Sequence, residues 1–221
     1  MKLFFEAIAK FLLGFMIVAA ILFLSAGSLL YINGWIFIAL LFVPMLILGA
    51  ILFIKSPLLL KKRLDSREKE KTQKGVVAFS GLLFVIGFIV AGLDFRFGLS
   101  VVPTWAVVTA SVIFLISYAL YAEVMRENAY LSRKIEVQEG QSVVSTGLYG
   151  IVRHPMYAAT VWLFLSIPIV LGSFWALICF LPYVFIIAVR IIDEEKLLSK
   201  ELCGYEEYKK KVRYRLIPFV W

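Results

Sequence analysis

The sequence predicts an all-α fold, a polytopic membrane bundle of about six spans with a helical C-terminal tail on the cytoplasmic side. Three observations predict it. Of the 221 residues, 62% are hydrophobic and 17% are charged, and the mean hydropathy is +0.92. The apolar residues fall in runs of about 20, the length that crosses a hydrocarbon core of about 30 Å. Lys and Arg gather beside those runs, as the positive-inside rule expects. Six spans consume roughly 120 residues, leaving too little for a separate soluble domain. Residues 1–221 therefore read as one membrane domain, with four spans in 1–128 and a loop, hairpin and tail in 129–221.

The first span runs from Phe4 to about Tyr31, interrupted by Glu6 and Lys10. Leu24-Ser25-Ala26-Gly27-Ser28 has the small residues of a signal-peptidase site, but the apolar run continues past it, so a retained helix is expected. Asn33-Gly34 reads as a short uncharged turn, and Trp35 to Ile54 as the second span. The connection from Lys55 to Lys74 carries Lys55, Lys61, Lys62, Arg63, Arg67, Lys69, Lys71 and Lys74 against Asp65, Glu68 and Glu70. Such a loop belongs in the cytoplasm. Gly75 to Leu93 is the third span, Asp94-Phe95-Arg96 and Pro103 mark an outer turn, and Thr104 to about Val124 is the fourth. A fifth span from Pro155 to about Leu171 turns at Gly172-Ser173 into a sixth ending near Val189, giving a helical hairpin. Counting from the basic loop puts both termini and the polar segments in the cytoplasm.

Between the fourth and fifth spans, Ile135-Glu136-Val137 alternates before Gly140, and Val143-Val144 precedes Gly147, predicting extended chain with tight turns. After the sixth span, Leu197, Leu198, Leu202, Tyr205, Tyr208 and Val212 form an apolar stripe. Gly204 is expected to end one helix before Tyr205 starts another, and Pro218 to stop the second. The net charge of +8 does not point to nucleic acid, because the basic residues flank membrane spans, where they attract anionic headgroups. Cys179 and Cys203 lie in an apolar run and a charged tail, and read as packed thiols rather than a disulfide or metal site. With a single histidine a metal centre is not expected, and no phosphate-binding or dinucleotide loop is present.

Chemistry concentrates around Arg153-His154-Pro155. Proline is tolerated at the first helical position, so Pro155 opens the fifth span and His154 sits at its N-cap, where a helix end favours an anion. An interfacial pair binding lipid phosphate is the plain alternative. Arg190 and Glu194 are four apart and share a helix face, and Arg190 must snorkel, pair or meet a substrate at the end of an apolar run. Here too an ordinary salt bridge is the plain alternative. Glu195 projects about 100° away from Glu194. Tyr149, Tyr157, Tyr205 and Tyr208 flank these groups, as belt residues or as the walls of a pocket.

Gly147-Leu148-Tyr149 through Arg153-His154-Pro155-Met156-Tyr157 resembles the G-x-Y-x-x-x-R-H-P-x-Y motif of the isoprenylcysteine carboxyl methyltransferases and the related phospholipid methyltransferases. Arg190 to Glu195, then Gly204-Tyr205-Glu206-Glu207-Tyr208 and Pro218, resembles their R-x-x-x-E-E…G-E-E-Y-x-x-Y…P ending. The resemblance covers Glu123 to the C-terminus and leaves out the first four spans. It implies a methyl transfer from S-adenosyl-L-methionine to a lipidic acceptor, a prenylated cysteine or similar lipid acid in the membrane. By position, it implies that Gln138, Gln141, Ser142, Val143, Val144, Tyr149, His154, Pro155, Met156, Tyr157 and Glu194 bind the cofactor. Arg190 would face the substrate carboxylate, and Arg190 and Glu194 would carry the catalytic step. The family often has histidine where this chain has Gln141. The alternatives are phospholipid N-methylation, which asks for a base to deprotonate an amine, an NADPH-dependent sterol-type reductase with a similar R-H-P ending, and a non-catalytic lipid-binding scaffold.

Overall fold

Among the described residues, five helices are long and apolar enough to cross a membrane, and Pro155–Val170 is a shorter apolar helix beside them. The protein is an all-helical integral membrane bundle. These features come from a computed structural model, which describes residues 2–64, 71–131 and 136–221. The helices are α1 (Lys2–Ala26), α2 (Ile32–Lys55), α3 (Pro57–Leu64), α4 (Lys71–Phe97), α5 (Thr104–Glu127), α6 (Pro155–Val170), α7 (Phe174–Phe180), α8 (Pro182–Glu201) and α9 (Tyr205–Lys211).

Several boundaries differ from the sequence reading. The first turn lies at 27–31, and Asn33-Gly34 falls inside the first turn of α2. The basic connection contains α3, whose Leu59 and Leu60 are buried while Lys61 is exposed; its Asp65, Arg67, Glu68, Lys69 and Glu70 lie outside the described residues. Ile135, expected in extended chain, also lies outside them. The sixth span does not stop near Val189. It is α7 and α8, meeting at Pro182, and α8 runs to Glu201, so Arg190, Glu194 and Glu195 stand on continuous helix. In the tail, α9 ends at Lys211, well before Pro218, because Val212 turns extended and its carbonyl accepts from the Arg153 side chain.

The apolar core joins α1, α2, α4, α5, α6 and α7 around Phe37, Phe88, Phe114 and Phe180. Some of its aromatic rings meet edge-on, as with Phe84 and Phe180 at 5.2 Å and 79°, and others are tilted, as with Phe37 and Phe88 at 48°. One end of the bundle is closed by a polar knot. Asp94, 2% exposed, accepts from Ser100 N at 2.6 Å and Ser100 Oγ at 2.7 Å, and the Ser173 hydroxyl donates to it as well. Tyr31 Oη donates to the Leu171 carbonyl at 2.6 Å beside it. Gly172, with φ +74, makes this turn, and a Cβ there would strike Asn33. A buried charge is tolerated only when hydrogen-bonded, and Asp94 is satisfied by donors from two separate loops.

That knot fixes the level at which α6 ends, and the length of α6 then sets where it begins. Sixteen residues rise about 24 Å, whereas the 24 residues of α5 rise about 36 Å. The N-terminus of α6 therefore falls short of the opposite end of α5. The described residues of this connection, 128–131 and 136–154, fill the difference.

Ser173→Ala removes a buried donor from Asp94 and an N-cap from α7, where Ser173 Oγ accepts from Ala176 N at 3.0 Å. It is expected to lower stability by about 1–3 kcal/mol, read as a lower melting temperature in detergent. An unchanged melting temperature would contradict this account of the knot.

Candidate functional site

The segment before α6 is fixed at both ends. The carboxylate of Glu127, at the end of α5, accepts from the Leu148 N–H at 3.1 Å. Gly147 has φ +52, and a Cβ there would collide with that same carboxylate, so only glycine admits the contact. The Tyr149 hydroxyl then accepts from Asn128 Nδ2 at 2.9 Å, and its carbonyl accepts from Tyr208 Oη at 2.7 Å. Loop, α5 and α9 are thus tied at one residue.

Pro155 occupies the first helical position of α6 with His154 as N-cap, as the spacing predicted. The imidazole, however, does not cap the helix. It turns to Glu195, with Nε2 3.3 Å from Oε1. Arg153 Nε donates to the same oxygen at 2.7 Å, and Arg215 Nε donates to Oε2 at 2.8 Å. Arg153 also donates to the carbonyls of Val212 and Arg213 at 2.8 Å. Backbone bonds from Arg153 N to Tyr214 O and from His154 N to Arg215 O, each 2.9 Å, complete the seam. Glu195 is 5% exposed, His154 5% and Arg153 8%. The sequence reading noted Glu195 only as projecting away from Glu194 and did not name Arg215. Their partners are 20 to 42 residues away, and no local spacing signals such a contact.

Glu194 faces the other way. Its Oε2 accepts from the Tyr157 hydroxyl at 2.8 Å, and that hydroxyl in turn accepts from Arg190 Nε at 3.5 Å. Arg190 and Glu194, expected to share a face, are therefore bridged by a tyrosine from α6.

These groups surround a cavity of about 580 Å³, within the range of about 300–1,000 Å³ typical of small-molecule sites. Gln141, Ser142, Val143, Val144, Tyr149, His154, Met156, Tyr157, Arg190 and Glu194 all line it. Gln138 and Pro155 do not. Gln138 is used for bracing: its side chain accepts from Lys62 of α3 and donates to the Tyr130 carbonyl, and its N–H donates to Gln141 Oε1 at 2.9 Å. Pro155 is buried behind the N-cap. The cavity also takes in residues that sequence reasoning did not assign to it. Arg63 of α3 reaches Met156 Sδ at 3.8 Å and lies 5.3 Å over the Tyr121 ring. Phe84, Leu163, Phe164 and Ile187 supply an apolar wall from the membrane helices.

The tail forms the remaining wall. Leu202, Tyr205, Tyr208 and Val212 bury against Val137, Val143 and Leu198, realising the apolar stripe. Burial raises the phenols of Tyr149, Tyr205 and Tyr208 well above their ordinary value, and the Glu195 and Glu194 carboxylates push Tyr205 the same way. All three remain neutral hydrogen-bonding groups. Among the described residues, the buried side-chain oxygen without a hydrogen-bond partner is the Tyr205 hydroxyl, and Tyr205 lines the cavity.

Residues 100–200 match the model of the Isoprenylcysteine carboxyl methyltransferase (ICMT) family, which supports the resemblance drawn from Gly147 to Tyr157 and from Arg190 to Glu195; the ending from Gly204 to Pro218 lies beyond the match. The match begins at Ser100 and takes in α5, correcting the expectation that the fourth span lies outside it. A curated relative, a Delta(14)-sterol reductase of Mus musculus, is 30% identical over 98 residues, 39% of this chain. The matched stretch spans 22% of that relative's length.

Glu195→Ala leaves Arg153 buried without its carboxylate. The expected cost is about 3–5 kcal/mol, the range for breaking a buried ion pair. The tail should detach first, so limited proteolysis is expected to cut within 202–221 while α1 to α6 stay protected. Uniform resistance of the variant would contradict the role of this carboxylate.

Proposed function

We propose, from the premise that residues 100–200 carry the domain of a membrane methyltransferase family, that the protein methylates a lipidic acceptor. The methyl donor in this reading is S-adenosylmethionine, and the acceptor group is the carboxylate of a prenylated cysteine or similar lipid acid. The observation supporting it is that a single cavity is walled both by polar loop and tail residues and by apolar residues of membrane helices. A water-soluble donor and an oily acceptor need such a mixed site.

S-adenosylmethionine supplies a sulfonium leaving group, so the protein's task is alignment of the two reactants. Gln141 to Val144, Tyr149, His154, Met156 and Tyr157 hold the donor, and Glu194 complements its ammonium or hydroxyl groups. Gln138 and Pro155 serve as supports behind that surface. Arg190 holds the acceptor carboxylate as a planar fork, beside the apolar wall that takes the lipid chain. A carboxylate is already a nucleophile at neutral pH. Among the described lining residues His154 is engaged with Glu195, Glu194 with Tyr157, and Glu136 is a further carboxylate; a carboxylate acceptor needs none of them as a base, which favours O- over N-methylation. In this reading this end of the bundle and both termini lie in the cytoplasm, which the cation-rich Lys55–Lys74 connection supports.

A second reading, a sterol-type reductase using NADPH, is favoured by the match to the Delta(14)-sterol reductase. The two separate cleanly in calorimetry on protein in lipid nanodiscs. S-adenosylhomocysteine is expected to bind and NADPH not to; the reverse result would replace the methyltransferase reading with the reductase.

Labelled donor offered with farnesylcysteine and phosphatidylethanolamine together should yield the methyl ester. In the same assay Arg190→Ala is expected to lower turnover of the prenylcysteine by about 100-fold or more, with S-adenosylhomocysteine affinity little changed. Equal turnover by the variant would remove Arg190 from the acceptor site.

A further inference from the structure

Tyr205 stands on α9, in the tail, and is 4% exposed. Its neighbours in the cavity all have hydrogen-bond partners: Tyr149 with Asn128, Tyr208 with the Tyr149 carbonyl, Tyr157 with Glu194. The Tyr205 hydroxyl has none among the described residues. A buried hydroxyl left unpaired is costly, and phenylalanine would fill the same volume without that cost. The oxygen is therefore explained by something that enters the cavity.

The surroundings of the hydroxyl indicate what enters. Tyr205 packs on Tyr208, ring centroids 5.8 Å apart, in the tail cluster with Leu198, Leu202 and Val212. It lies within electrostatic reach of Glu195, Glu194 and Arg153, whereas Phe84 and Phe164 belong to the clusters of the membrane helices. Glu195 is neutralised there by Arg153 and Arg215. The phenol stays protonated and has an O–H to donate. Glu194, which accepts from the Tyr157 hydroxyl through Oε2, also lines the cavity and adds a carboxylate that attracts a cation.

We infer that the Tyr205 hydroxyl binds the amino-acid head of the methyl donor, donating its hydrogen to the head's carboxylate while Glu194 faces the ammonium. This inference rests on the proposed use of S-adenosylmethionine and assigns a residue of the tail, outside the 100–200 match, to the same site. It makes closure of the tail and retention of the donor one event, because α9 brings the hydroxyl with it.

Tyr205→Phe tests it, since the hydroxyl makes no hydrogen bond among the described residues. The ligand-free variant is expected to melt at or above the wild-type temperature, unlike Tyr208→Phe, which loses the 2.7 Å bond to Tyr149. Affinity for S-adenosylhomocysteine, by calorimetry in nanodiscs, is expected to fall about 10-fold or more. Affinity for 5′-methylthioadenosine, which lacks the amino-acid head, should change less than about 2-fold, the hydrogen bond being absent from both complexes. Unchanged S-adenosylhomocysteine affinity, equal losses for both compounds, or a lowered ligand-free melting temperature would each overturn the inference while leaving the cofactor reading intact. Failure of the wild-type protein to bind S-adenosylhomocysteine would overturn both.

Discussion

A buried carboxylate governs the geometry of this protein's functional end. Glu195 takes hydrogen bonds from Arg153, His154 and Arg215, and nothing less would hold an ionised group there at 5% exposure. Desolvation of an isolated carboxylate costs several kcal/mol, while two guanidinium groups repay it with charge-assisted bonds. The result is positional. Arg153 precedes α6, Glu195 belongs to α8 and Arg215 follows α9, so one side chain sets three parts of the chain at a common point. Removing it frees the tail from α6 and takes away one wall of the cavity.

The second constraint is the shortness of α6. With its far end pinned beside Asp94 and Tyr31, its near end stops within the bundle, and irregular chain must continue to the level reached by α5. Such backbone is tolerated at membrane depth only where it is buried in protein or lines a cavity. Within residues 141–150, Tyr149 is buried, the Leu148 N–H is satisfied by Glu127 and the Tyr149 carbonyl by Tyr208, and Gln141 to Val144 line the cavity. A polar binding surface is thereby brought alongside apolar side chains of α4, α6 and α8. Arg190 and Glu194 stand at this junction on one helix, with Tyr157 between them.

Much of this was legible in the sequence, for local reasons. The spans show as runs of apolar residues, Pro155 announces the start of α6, and the stripe from Leu197 to Val212 announces the tail that packs on Val137 and Val143. The motif residues His154, Tyr157, Arg190 and Glu194 do meet in one cavity. Contacts that depend on long loops closing were not legible. Glu195 looked like a bystander because helical spacing turns it away from Glu194, and the direction it faces matters only once Arg153 and Arg215 arrive. Gln138 has the same spacing to the motif whether it meets a ligand or, as found, Lys62 and the Tyr130 carbonyl. Asn33-Gly34 reads as a turn on composition, yet Tyr31 ends the true turn by burying its ring against Phe95, centroids 4.5 Å apart. The role of α3 was hidden as well, since a basic connection looks alike in sequence whether it floats in water or, through Arg63, lines a site.

The most direct measurement is a density map of the protein in lipid with S-adenosylhomocysteine and farnesylcysteine both present. The account predicts both molecules in one cavity, the nucleoside against Gln141 to Tyr149 and α9, and the prenyl chain between α4, α6 and α8 with its carboxylate at Arg190. Density for the two in separate places, or a tail lifted away from Glu195 with the nucleoside still bound, would contradict it.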